Sequence, residues 1–78
     1  MAVTNYTLTP DITIRLTDTD GSYFIEYIQN DTIISHITME PGLRENTLMV
    51  ERNPCLVTLD NNQFKIRYDE QDVILLEI

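Results

Sequence analysis

Apolar and polar residues alternate along most of the chain. Residues 12–17 (ITIRLT) place Ile12, Ile14 and Leu16 on one side and Thr13, Arg15 and Thr17 on the other. Residues 63–69 (QFKIRYD) set Phe64, Ile66 and Tyr68 against Lys65 and Arg67 in the same way. A period of two belongs to a strand with one covered face. No window holds apolar residues at helical spacing for three turns, and the recurring Val, Ile, Thr, Tyr and Phe favour strands. Breakers separate the runs at Asp20-Gly21, Asn30-Asp31, Pro41-Gly42, Asn53-Pro54 and Asn61-Asn62. The pattern predicts an all-β fold of about eight short antiparallel strands in two meanders, packed as a small β-sandwich or barrel.

The turns fix the register. With Asp20-Gly21 as a two-residue turn, Leu16 faces Ile25, Ile14 faces Tyr27 and Arg15 faces Glu26, giving an apolar row on one side and an ion pair on the other. Asp18, Asp20 and Gly21 also have the spacing that opens a calcium loop. That loop would need Asp at position 16 and Glu at position 27, where Leu16 and Tyr27 stand, so a hairpin tip is the better assignment. With Asn61-Asn62 as a turn, Leu59 meets Phe64, Val57 meets Ile66, Cys55 meets Tyr68 and Thr58 meets Lys65. A three-residue turn at Glu70-Gln71-Asp72 then pairs Tyr68 with Ile74, Ile66 with Leu76, Lys65 with Glu77 and Phe64 with Ile78. A two-residue turn there would put Glu77 beside Phe64 on the apolar face.

Sliding the chain by 41 residues brings Asn5, Thr17, Ile25, Tyr27, Asp31, Ile33 and Ile37 onto identical residues. One domain, 1–78, is therefore expected to contain two four-stranded units, 4–37 and 46–78, joined by 38–45. The repeat makes Gln29-Asn30-Asp31 a three-residue turn. It points Ile33 and Ile37 inward, and Phe24, Ile28, Ile34 and His36 outward together; Asn30-Asp31 as a two-residue turn would instead send Ile34 and His36 inward. Strand pair 23–37 thus has bulky apolar residues on both faces, and a thin domain covers only one of them itself.

Thirteen acidic against five basic residues give a net charge of −8, which disfavours direct binding to a nucleic-acid backbone. Asp18, Asp20, Asp31, Asp60, Asp69, Glu70 and Asp72 are all expected at hairpin ends, where they solubilise the fold or meet a basic partner. No apolar run approaches a membrane span, and the start, MAVTNYTLTP, lacks the basic and apolar segments of a signal peptide. A cytoplasmic location or a place in a virion follows as the expectation, and one cysteine excludes an internal disulfide framework.

Catalytic chemistry finds little footing. His36 is the single histidine, so no His-based metal cluster exists, and it is expected as a structural or rim residue. Cys55 faces inward without a flanking base to stabilise a thiolate. The two glycines, Gly21 and Gly42, make no phosphate loop, and the carboxylates fall on open turns rather than in a cleft. No cofactor, metal or catalytic residue is predicted. The chain is expected to be a non-catalytic interaction or assembly module, as small all-β subunits are in homo-oligomers and in viral (phage) assemblies. Its partner is then itself or another protein, met through Phe24, Ile28, Ile34 and His36. The alternative is an acidic inhibitor that mimics nucleic acid and blocks a basic protein.

Overall fold

The computed structural model describes residues 2–61, 63–73 and 76–78, and within them every regular element is a strand. The order is β1 (Ala2–Thr9), β2 (Ile12–Thr19), β3 (Ser22–Gln29), β4 (Thr32–Met39), β5 (Glu45–Val50), β6 (Asn53–Asp60), β7 (Gln63–Tyr68), β8 (Gln71–Val73) and β9 (Leu76–Glu77). All pair antiparallel in two sheets, ordered β4-β3-β2-β1-β9 and β5-β6-β7-β8.

The first meander repeats eight residues of strand and two of turn. At Asp20-Gly21 (φ 51° and 88°) and Asn30-Asp31 (φ 51° and 61°) both turn residues are left-handed. That geometry matches the twist of the flanking strands, and Gly, Asn and Asp reach it at least cost. The predicted register holds: Leu16 faces Ile25, Ile14 faces Tyr27 and Arg15 faces Glu26. In the second sheet Leu59 faces Phe64, Val57 faces Ile66, Cys55 faces Tyr68 and Thr58 faces Lys65, also as predicted. Asn62 itself lies outside the described residues.

Four expectations are corrected. The turn after β3 has two residues, not three, because Gln29 pairs with Thr32. A bulge follows: Ile28 pairs with Ile33 while Tyr27 pairs with Ser35, leaving Ile34 extra. The bulge restores Ile37 to the core side, and Ile33, expected inside, is exposed beside Ile34. The chain reverses at Glu51-Arg52 rather than at Asn53-Pro54, which open β6. The last turn is Asp69-Glu70, so Tyr68 meets Gln71, Arg67 meets Asp72 and Ile66 meets Val73. Ile74, the expected partner of Tyr68, lies outside the described residues.

The end of the chain supplies the fourth correction. Tyr6 faces Glu77, Thr7 faces Leu76, and Ile78 N–H donates to the Asn5 carbonyl at 2.9 Å. The chain thus leaves the second sheet after Val73 and finishes against β1. Glu77 never meets Phe64, so the objection to a two-residue turn disappears. The third turns of the two meanders are 39 residues apart (30 to 69) while the second turns keep the 41-residue offset (20 to 61), so the repeat is not carried through.

One core lies between the sheets: Ile12, Ile14, Leu16, Ile25, Tyr27, Met39, Leu48, Val50, Cys55, Val57 and Ile66. Met39, placed in the linker by the sequence pattern, is wholly buried. The sheets are joined along one side by β8 and β9. On the other, β4 and β5 lie edge to edge and are stitched by side chains. Ser35 Oγ donates to the Met49 carbonyl (3.4 Å), and Asn46 Nδ2 donates to the Thr38 carbonyl (3.2 Å). Tyr27 Oη donates to Gln29 Oε1 (2.7 Å) and Gln29 Nε2 donates to Glu51 Oε1 (3.0 Å), tying the sheets at one end.

Candidate interaction surface

The pleat that sends Ile14, Leu16, Ile25 and Tyr27 inward sends their neighbours out. Three cross-strand rows form the outer face of the first sheet. They are Val3–Thr17–Phe24–Thr38, Asn5–Arg15–Glu26–His36, and Thr7–Thr13–Ile28–Ile33. The bulge adds Ile34 to the third row. Phe24 is 37% exposed, Ile33 52% and Ile34 53%, while Ile28 is half-buried. His36 is exposed, and its ring lies 4.9 Å from that of Phe24. The four residues predicted to face outward together, Phe24, Ile28, Ile34 and His36, all lie on this face.

Sequence reasoning missed three of its members. Ile33 needed the bulge, Val3 lies on a strand not assigned to either face, and Ile78 was assigned to the core. Ile78 is instead 75% exposed and helps line a shallow hollow of about 390 Å³ with Asn5, Thr13, Arg15, Ile28, Asp31 and Ile33.

The middle row holds a closed ion pair. Arg15 Nε and Nη2 donate to Glu26 Oε1 and Oε2 at 2.7 and 2.8 Å, the two-pronged geometry that suits guanidinium and carboxylate. Glu26 is only 6% exposed although it points away from the core. The hydrogen bonds from Arg15 hold its carboxyl below the usual range, against the opposing effect of burial, with a smaller contribution from the charge of His36. Among the described residues no buried side-chain polar atom lacks a partner.

Most of the acidic residues gather at the two ends of the fold, Asp31 reaching the margin of this face. Successive turns of a meander alternate between its two ends, and side-chain neighbours across the sheets agree: Gly21 lies near Pro41, and Gln29 bonds Glu51. Asp18, Asp20 and Asp60 fall at one end; Asp31, Asp69 and Glu70 fall at the other. Asp18 Oδ1 accepts from Gly21 N–H at 3.4 Å, and Asp60 lies 3.8 Å from Lys65 Nζ. Asp72, expected at a tip, stands inside β8 opposite Arg67, because the turn closes two residues earlier. No three groups of the metal-ligating types converge among the described residues.

Cys55 is buried between the sheets, and desolvation pushes its thiol up to about 11. It is held in its protonated, unreactive form. The outer face of the second sheet carries more charge than that of the first: Arg44, Lys65 and Arg67 line a hollow of about 370 Å³ with Asp60, Asp72, Leu56 and Leu59, and Met49 on the same face is 53% exposed. Searches against family models, curated proteins and solved structures return no match.

Proposed function

We propose that the chain works without catalysis, as an interaction and assembly module that docks on a protein through the outer face of its first sheet. One observation carries the reading: Phe24, Ile28, Ile33 and Ile34 form an apolar surface that the fold leaves uncovered, on both sides of a neutralised ion pair. Large apolar side chains exposed together on one face of a small domain mark a place where another body sits. Photocrosslinking tests it. A photoreactive side chain at Thr38, on this face, is expected to form protein adducts in an extract of the native cells. The same group at Thr47, on the second sheet, is expected to form few. Equal labelling from both positions, or none from Thr38, removes the proposal.

A second reading rests on the hairpin ends. Asp11, Asp31, Glu51, Asp69 and Glu70 share one end with a single basic residue, Arg52, an arrangement that suits an acidic inhibitor presenting carboxylates where a basic protein expects phosphate. Such binding weakens steeply with salt and competes with duplex DNA. Binding that persists in high salt excludes it.

A further inference from the structure

We infer that the occupant of this face is a second copy of the same chain, the two first sheets packing outer face to outer face. The inference rests on the interaction surface proposed above and adds its partner. Two bodies that each carry −8 repel wherever their acidic residues are exposed, which excludes both hairpin ends as a meeting place. The second sheet presents Arg44, Lys65 and Arg67 with Asp60 and Asp72, charges that would lose water on being covered. The rows of the first sheet hold only Arg15, Glu26 and His36 as ionisable groups, and the first two already neutralise each other. Glu26 has given up most of its contact with water in the single chain, so covering it again costs little further desolvation. A basic partner finds little to attract it here and goes to the ends; two equally acidic bodies meet where exposed acid is scarcest, with Glu26 paired and Asp31 at the margin beside Ile33.

Size and symmetry agree. Four strands of eight residues, about 4.8 Å apart and rising about 3.4 Å per residue, span a face of roughly 500 Å² before side-chain relief is counted. Standard interfaces bury about 800 Å² per partner, which places this pair in the weak, reversible class. A sheet laid on its own copy makes a two-fold contact that closes at the dimer, with the aligned packing that twisted sheets adopt.

Sedimentation equilibrium on the purified chain, from about 10 µM to about 1 mM, tests the pairing. The expected result is a monomer–dimer equilibrium that tightens several-fold when sodium chloride is raised from about 0.05 M to about 0.5 M, as screening relieves the repulsion of like charges. Phe24→Ser and Ile34→Ser each replace an exposed side chain and are expected to weaken the dimer about tenfold, whereas Leu43→Ser, in the linker, leaves it unchanged. Monomer mass throughout the wild-type series overturns the pairing, even where Thr38 still crosslinks to a different protein and the docking face therefore stands. A dimer that loosens as salt is added, survives both face variants, or is lost equally in Leu43→Ser overturns it too.

Discussion

Arg15 and Glu26 face each other across β2 and β3 on the outer side of the first sheet, joined by two hydrogen bonds of 2.7 and 2.8 Å. The pair is asymmetric: about a third of the Arg15 side chain reaches water, whereas that of Glu26 is 8% exposed. Removing either partner therefore has unequal consequences.

Arg15→Ala strands a carboxylate that water hardly reaches and is expected to cost about 1–2 kcal/mol, the buried-pair figure discounted for the exposure of the arginine. Glu26→Ala leaves an arginine free to turn outward and costs less. Lys65→Ala, which breaks an exposed contact of 3.8 Å to Asp60, serves as the reference. Urea unfolding of the three variants checks the order; an Arg15→Ala loss no larger than that of Lys65→Ala contradicts it. The pH dependence has a definite sign. A carboxyl held below its ordinary value of 4.5 stabilises the fold fully above that pH, and the contribution disappears as pH falls through the native value. The stability gap between wild type and Glu26→Gln is accordingly expected to be flat above about pH 5 and to shrink below it.

Glu70 occupies a left-handed position, φ 62°, next to Asp69 at φ 51°. Asp tolerates that conformation, but Glu gains no local hydrogen bond from it. Glu70→Gly relieves the strain while loosening the unfolded chain, for a net gain of about 0.5–1 kcal/mol. Thermal and urea midpoints should both rise; an unchanged or lowered midpoint counts against the turn geometry.

Cys55 links the core to alkaline behaviour. Its thiol ionises at about 11 in the fold against an ordinary 9.0, so its contribution to stability is whole below pH 9 and is lost as pH rises toward 11. Cys55→Ala lacks this component, and the difference between the two proteins should narrow across that interval. Alkylation of native protein near pH 8 is expected to proceed at the rate of global opening. Rapid stoichiometric labelling without denaturant rules out a closed core around the thiol.

Much of the first meander is readable because independent signals coincide there. Alternation, the Asp20-Gly21 turn and the charge match of Arg15 with Glu26 all specify one register, and the outward placement of Phe24 and Ile28 follows. Ile34 and His36 are expected outward only through a three-residue turn that the fold lacks; they face outward because the bulge shifts β4 by one residue instead. The bulge is not readable: Ile33 and Ile34 stand side by side in sequence, and alternation cannot decide which of two equal side chains is the extra one. Met39 escaped because it adjoins Pro41-Gly42, whose turn signal outweighs a single apolar residue. Glu51 and Arg52 are poor turn formers, yet the pairing of Leu48 with Cys55 and of Val50 with Asn53 forces the reversal between them. Nothing in the local pattern of "VILLEI" says that it crosses to the other sheet, since that depends on where β1 lies. The burial of Glu26 has the same origin, because it requires Arg15, Phe24 and His36 to be assembled around it.

The contact between β1 and β9 also shapes how the molecule reaches its native state. Among the described residues, every other ladder joins strands that follow one another in the chain, and such hairpins form in about 1–10 µs. The pairing of Tyr6 with Glu77 must instead close nearly the whole chain into a loop, with the full entropic penalty of that search. Both meanders therefore assemble first and the terminal rung last. Until it forms, the backbone of β1 is an open template, which makes the species just short of native the one most exposed to misassembly.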